Sequence, residues 1–331
     1  MDFQVVLTVF SQILILVIIG AIGFLAMKRK WVPENAGEVV SAVVVRITAP
    51  ALIFTSMAVK DFGPDKWRDG TILFVSAFIF ISLAYAISFF STKAMKMDQF
   101  SASVYQAQSM VGNVIFLSFP LLRILDKENG ILYGMFYNFA NDIFLWTIVI
   151  LLLNGHHKTG LKSKLTKILN PNSIAFVLGI IASVFHLGNL VKFNFIVDGT
   201  YSIIFESLKG VGETTFYISM LFLGMILANI RYEGIVHLIK TKYSVFVYSF
   251  VKLLMVPLIA LFVMKTLIPT NGLATSVLVL QLAMPASVTI VALAAQYKAN
   301  HEYATEILSF STVFSLITLP FLVYLLYLIP H

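Results

Sequence analysis

Apolar residues in this chain come in blocks, and the block length constrains the fold more than any other feature. Ten runs of roughly 17–27 residues carry almost no charge: about 5–27, 36–59, 70–92, 100–122, 130–153, 172–188, 203–229, 243–267, 272–297 and 303–329. A helix needs about 20 apolar residues to cross the hydrocarbon of a bilayer, and only helices or closed barrels satisfy their backbone there. Of the 331 residues 59% are hydrophobic and 12% charged, half the charge of an average soluble domain. The expected fold is an all-α polytopic membrane protein with ten transmembrane helices.

Charge supports that reading and gives it an orientation. The N-terminus MDFQVVLTVF has Asp2 and no basic lead, so it does not read as a cleaved signal peptide, whereas Lys28, Arg29 and Lys30 follow the first run. That order predicts both termini outside. Thirteen of the 23 Lys and Arg then fall in cytoplasmic loops: Lys28, Arg29, Lys30, Lys93, Lys96, Lys158, Lys162, Lys164, Lys167, Arg231, Lys240, Lys242 and Lys298. Seven fall outside, which is the positive-inside bias. The net charge of +7 is therefore a topology signal, and no nucleic-acid partner is expected.

The longest polar break, NGHHKTGLKSKLTKILNPN, divides the runs five and five. An odd number of spans per half inserts the halves in opposite orientations, the plan of an inverted-repeat transporter. The expected organisation is a first five-helix repeat at 1–155, a basic cytoplasmic linker at 156–171 and an inverted repeat at 172–331. The fourth run contains GNVIFLSFPLL and the ninth MPASVTIVALAAQY, each with a proline among apolar and small polar residues. Proline breaks or kinks a helix, and a break in hydrocarbon must face protein or a wet cavity. Matched breaks point to Pro120 and Pro285 as markers of a transport site. An isolated proline would mean less, since Pro50, Pro257 and Pro320 also lie in spans.

A broken helix presents free N–H groups and a favourable dipole to an anion. Asn113, Ser118, Ser287 and Thr289 add side-chain donors and acceptors beside the two prolines. Taken by position, Asn113 serves equally well as an interhelical bond or a ligand contact. Arg46 and Lys252 are cations within the second and eighth spans, and they are candidate substrate contacts. Asn138, Asn141 and Asp142 lie on one face of the fifth span at spacings of three and four. They are candidates for a coupling proton or sodium; the bland alternative is that Asp142 only neutralises Arg46 or Lys252. Glu206, Lys209 and Glu213 share a face near one end of the seventh span, where a solvated ion-pair network is expected, with Lys209 able to serve both acids.

GNVIFLSFPLL resembles the asparagine-then-proline fourth span of the auxin efflux carrier family, which includes plant auxin exporters and bacterial organic-acid carriers. MPASVTIVALAAQYKANHEYATEILSFSTVFSLITLP is similar to its ninth and tenth spans, and RITAPALIF to its second. The resemblance covers essentially the whole chain. It implies two inverted five-helix repeats whose fourth and ninth helices are broken and cross at the membrane midplane, with elevator-type alternating access. It also assigns Asn113 to substrate contact. Ser118 stands where the family often has glycine, and Ala286 follows Pro285 where an amide or small polar residue is frequent, so two side-chain amides at the crossing are not implied.

The function expected is secondary transport of a small organic anion such as malate, malonate or an auxin-like carboxylate. The central break of under twenty residues favours the bacterial branch, hence a bacterial inner (plasma) membrane. The alternatives are a sodium-coupled symporter of related fold, a non-transporting receptor and an intramembrane enzyme. G-x-S-x-G, H-E-x-x-H and Walker A patterns are missing, so neither an enzyme nor a self-contained ATP-driven pump is expected. Cysteine is absent and the six histidines are scattered apart from His156 and His157. No metal site and no cofactor beyond a coupling H+ or Na+ is expected. Trp31, Trp67, Trp146 and Tyr133 read as interface or packing aromatics. The bilayer and the anion are the expected partners, with a homodimer compatible with the family.

Overall fold

The structure is a computed structural model that describes residues 3–60, 63–154, 170–185, 196–229, 243–268 and 270–328. Most of the linker, His156, His157 and the loop cations from Arg231 to Lys242 lie outside the described residues. All regular structure among the described residues is helical: α1 Phe3–Lys28, α2 Ala36–Ala58, α3 Pro64–Ala94, α4 Gln99–Met110, α5 Ser118–Leu125, α6 Gly130–Asn154, α7 Pro171–Val184, α8 Ile196–Asn229, α9 Tyr243–Leu267, α10 Gly272–Leu282, α11 Val288–Gln296 and α12 His301–Leu328. Six of these (α2, α3, α6, α8, α9 and α12) are long and apolar enough to cross a bilayer among the described residues. The fourth and ninth apolar runs are each divided, into α4 and α5 and into α10 and α11.

Local chemistry sets the helix ends. Asn170 accepts hydrogen bonds from the N–H groups of Asn172 and Ser173, with Pro171 in the first turn of α7. Asn271 caps α10 through Leu273 N–H, and Asp98 caps α4 through Phe100 and Ser101 N–H, both at 3.0 Å. These bonds, that from Ser101 foremost, hold the Asp98 carboxyl below its ordinary value of 3.8. A carboxylate favoured by folding stabilises above its unfolded pKa and stops doing so as pH falls through its folded one. Asp98→Ala is expected to cost about 1 kcal/mol. In thermal unfolding at neutral pH the variant should melt below the wild type, with the gap closing on acidification below the ordinary carboxylate range.

Among the described residues, three helices close through a left-handed residue that is lysine where glycine is usual. Lys30, Lys96 and Lys298 follow α1, α3 and α11 with φ of 56°, 50° and 56°, a conformation that costs an L-residue roughly 1–2 kcal/mol. Each opens a turn in which the next N–H reaches back to close the helix: Trp31 to Ala26 O, Met97 to Thr92 O and Ala299 to Ala294 O, at 2.9, 3.1 and 2.8 Å. A cation there also suits the negative end of the helix dipole.

Among the described residues, three helices contain a wider π-helical turn: Val44–Thr48, Leu145–Val149 and Val251–Met255. Pro50 and Pro257 lie just beyond the first and third and remove an N–H from the ladder. In the second, Thr147 donates its hydroxyl to the Ile143 carbonyl, inserting a side chain into the ladder.

The chain forms two compact units that each draw on both sequence halves. Unit 1 comprises Met1–Arg68, Ile115–Met135 and Leu169–Ile230; unit 2 comprises Asp69–Val114, Phe136–Ile168 and Arg231–His331. In unit 1, α8 packs on α1 and α2, and α7 on α2. Glycines let these backbones approach: a Cβ on Gly23 would lie 2.1 Å from the Leu221 carbonyl oxygen, and one on Gly224 1.8 Å from that of Gly20. In unit 2, α12 packs on α4, α9 and α11, and α9 on α10.

Candidate functional site: the paired helix interruptions of unit 2

The α4 helix stops at Met110, and residues 111–117 are not helical before α5 starts at Ser118. The break lies upstream of Pro120. That proline is the third residue of α5, where a missing N–H costs nothing. In the ninth run, Pro285 stands within the break itself, at 283–287.

The two interruptions meet inside unit 2. Gly112 and Ala286 form an isolated antiparallel bridge, and Asn113 N–H donates to the Pro285 carbonyl at 2.8 Å. Gly112 makes the approach feasible, because a Cβ there would sit 3.0 Å from the Met284 Cβ and 3.3 Å from its carbonyl oxygen. Gln108 adds a second tie: its Oε1 accepts from Ser287 N–H at 2.7 Å, and its Nε2 donates to the Ser287 carbonyl at 3.2 Å. Ser311 Oγ, on α12, accepts from Ala286 N–H at 3.1 Å. The broken backbone thus recovers partners within the protein, as a buried break must.

Around this meeting point the predicted residues separate into groups. Asn113 is 3% exposed. Ser287 is the N-cap of α11 and accepts from Thr289 N–H at 3.3 Å. Val288 and Thr289, in the first turn of α11, are half-buried, so this helix start is reachable. Lys252, on the wide turn of α9, is 2% exposed and donates to the Ser109 carbonyl at 3.0 Å. Asn113, Pro285, Ser287, Thr289 and Lys252 therefore belong to one unit. Ser118, fully buried and with its hydroxyl unpaired, belongs to unit 1, as do Pro120 and Arg46, and Arg46 is exposed.

Asn138, Asn141 and Asp142 on α6 are buried. The Oδ1 atoms of both asparagines have no hydrogen-bond partner, an unusual state for buried acceptors. Among the described residues no group of three or more acidic or histidine side chains is placed to hold a metal.

Sequence reasoning missed Gln108, Tyr248 and Ser311. For Gln108 the available signal was SVYQAQSM, a polar stretch inside a span.

Unit 1 carries a separate cleft of about 290 Å³ with Lys60, Arg123, Glu206, Lys209 and Glu213 on its walls. Lys209 pairs with Glu206 at 3.5 Å, but Glu213 goes to Arg123 at 3.6 Å, so Lys209 does not serve both acids. The Arg123 guanidinium also lies 4.4 Å over the Phe216 ring. Burial pushes the Lys60 ammonium below its ordinary value, with Glu128 opposing the shift. These pairs are partly exposed and contribute little to stability.

Residues 8–166 and 156–323 match the family described as membrane transport protein. The chain is also 25% identical over 319 residues to an uncharacterized transporter of Methanothermobacter thermautotrophicus, covering 96% of each chain. A chain whose described regular structure is helical, with several membrane-length helices and this family match, is an integral membrane transporter, which implies a transport role rather than an enzymatic one. By that match across nearly its whole length, the chain belongs to the membrane transport protein family, that of the auxin efflux carriers.

Proposed function

We propose that the protein is a secondary carrier for small organic anions of the malate, malonate or auxin-like type, with the carboxylate held where the two interruptions meet. The carrying observation is the pairing of Gly112–Asn113 with Pro285–Ala286 beside the reachable first turn of α11. Ala286 and Ser287 N–H are already used internally. An incoming carboxylate draws instead on the Val288 N–H at the start of α11, the Thr289 hydroxyl and the Asn113 amide, with the helix dipole favouring its charge; the Thr289 and Ile290 N–H groups already serve Ser287. Ser118, in unit 1, is left outside the site. Arg46, exposed in unit 1, is left outside the site. The fourth and ninth runs act as crossing broken helices of two inverted five-helix repeats. Unit 2, which holds the paired interruptions, is the body that moves in an elevator cycle. The setting proposed is a bacterial plasma membrane with both termini outside.

A second reading concerns coupling. The unpaired Oδ1 atoms of Asn138 and Asn141, next to the buried Asp142 on the same face of α6, call for a donor or a cation. A proton on Asp142 supplies a donor, and a sodium ion would take the same oxygens as ligands.

One experiment tests both readings: uptake of labelled malate, malonate and indole-3-acetate into proteoliposomes, with proton and sodium gradients imposed separately. Saturable uptake of at least one anion is expected. Asn113→Ala should reduce it about ten- to a hundredfold, the worth of one hydrogen bond to a charged group, with folded protein still abundant. Asp142→Asn should remove the response to whichever gradient drives the wild type. Failure of all three anions to move would end the organic-anion reading. Normal uptake by Asn113→Ala would take Asn113 out of the site.

A further inference from the structure

We propose that the ammonium group of Lys252 is a resident cation of the paired interruptions, fixed at the C-terminal end of α4. The inference rests on the reading that an anion binds beside these interruptions, and it gives that anion its compensating charge.

The argument begins with the carbonyls at the end of α4. In a continuous helix the Gln108 carbonyl would accept from residue 112 and the Ser109 carbonyl from residue 113. The chain leaves the helix at Val111, whose own N–H still reaches Ala107 at 3.1 Å. Asn113 N–H, which would have served Ser109, goes to Pro285. Two carbonyls with the partial negative charge of a helix end are thereby left inside the protein.

The α9 helix supplies both replacements. Tyr248 Oη donates to the Gln108 carbonyl at 2.9 Å and Lys252 Nζ to the Ser109 carbonyl at 3.0 Å. The two residues are four apart, so they share a face, and Lys252 lies on the wide turn Val251–Met255.

Tyr248 shows that a neutral donor is enough to satisfy a carbonyl here. Hydrogen bonding alone therefore does not account for a lysine at 252, because burying an unpaired charge is costly. The helix end offsets part of that cost, and a carboxylate at the adjoining start of α11 offsets more. The ammonium acts as a positioning group: it holds the α4 end in place and makes the region electropositive before substrate arrives.

The test is thermal unfolding of the full chain in detergent, in methylammonium chloride and in choline chloride at equal ionic strength. Wild-type protein should melt alike in both salts. Lys252→Ala should melt lower in choline and recover by about 2–4 °C in methylammonium, which fits the vacated space as choline does not. Lys252→Met fills that space without charge; it should melt below the wild type and ignore methylammonium. A Met variant as stable as the wild type, or an Ala variant indifferent to methylammonium, would overturn the proposal. If the Ala variant does not fold, the Met comparison still decides. Anion uptake in the same preparations separates the two ideas. The melting pattern without uptake would retain the resident cation and remove the anion, and uptake without the pattern would do the reverse.

Discussion

Gly224→Val should yield almost no folded protein. The seam between α1 and α8 in unit 1 is a backbone-to-backbone contact at Gly20, Gly23 and Gly224. A Cβ at 224 would fall 1.8 Å from the Gly20 carbonyl oxygen and 2.8 Å from the Phe24 nitrogen. No side chain can turn away to relieve that clash, so the helices must separate. In lipid, separation is especially damaging, because helices associate through close packing and gain little from leaving an apolar solvent. Overpacking usually costs 1–3 kcal/mol, and a clash with main chain on both sides belongs at or above about 3 kcal/mol. Gly210, also on α8, provides the control. Its Cβ would meet nothing within 4 Å, so Gly210→Ala should be neutral or stabilise by up to about 1 kcal/mol. Yield of monodisperse protein and its melting temperature decide the matter. Wild-type values for Gly224→Val would mean that the α1–α8 seam does not limit folding.

The seam also shows what the sequence withholds. Each apolar run is legible by itself, because bilayer thickness fixes its length; among the described residues the runs fall on helix, two of them divided, and six of the helices are long and apolar enough to cross a bilayer. Caps are legible for the same local reason: Asp98, Asn170 and Asn271 carry short side chains that reach N–H groups two and three residues on. That Gly20 faces Gly224 and Gly23 faces Leu221 is not legible, since nothing local to α1 names a partner two hundred residues away. The division into two compact units, which interleaves the halves, is hidden for the same reason. The helix ends at Lys30, Lys96 and Lys298 escaped notice because they use lysine where glycine is the usual signal.

At the paired interruptions, small and polar residues in apolar runs mark Gly112, Asn113 and Ser287, and proline marks Pro285. Proline marks the first break less directly. Pro120 sits comfortably in the first turn of α5, and the break before it follows from the Gly112–Asn113 pairing with the ninth run. Lys252 was visible as a charge in a span, but its partner was not, because a carbonyl freed by a distant break leaves no trace in sequence. Gln108 reads as an ordinary polar helical residue until the position of Ser287 is known.

Gln108 therefore gives the second large effect. Gln108→Leu should reduce transport about ten- to a hundredfold while leaving the protein in the membrane. The Gln108 amide is the acceptor for Ser287 N–H, at 2.7 Å, and a donor to the Ser287 carbonyl. The carbonyl keeps a bond from Ile290 N–H at 3.2 Å, so the lasting loss is the orphaned N–H, which costs about 1–3 kcal/mol in a buried setting. Ser287 caps α11, and its displacement moves the helix start proposed to face the carboxylate. A shift of that energy corresponds to the stated range of affinity. Gln108→Glu distinguishes positioning from packing. It keeps the shape and the acceptor for Ser287 N–H, but it sets a carboxylate oxygen against the Ser287 carbonyl and adds a negative charge near the anion. If Gln108 works by placing α11, the Glu variant should carry substrate poorly at neutral pH and regain uptake as acid protonates the new carboxyl, which then donates as Nε2 did. The Leu variant should show no such recovery. Transport by Gln108→Leu at the wild-type rate would mean that the α4 tie to Ser287 is dispensable and that the Gly112–Ala286 bridge alone holds the interruptions together.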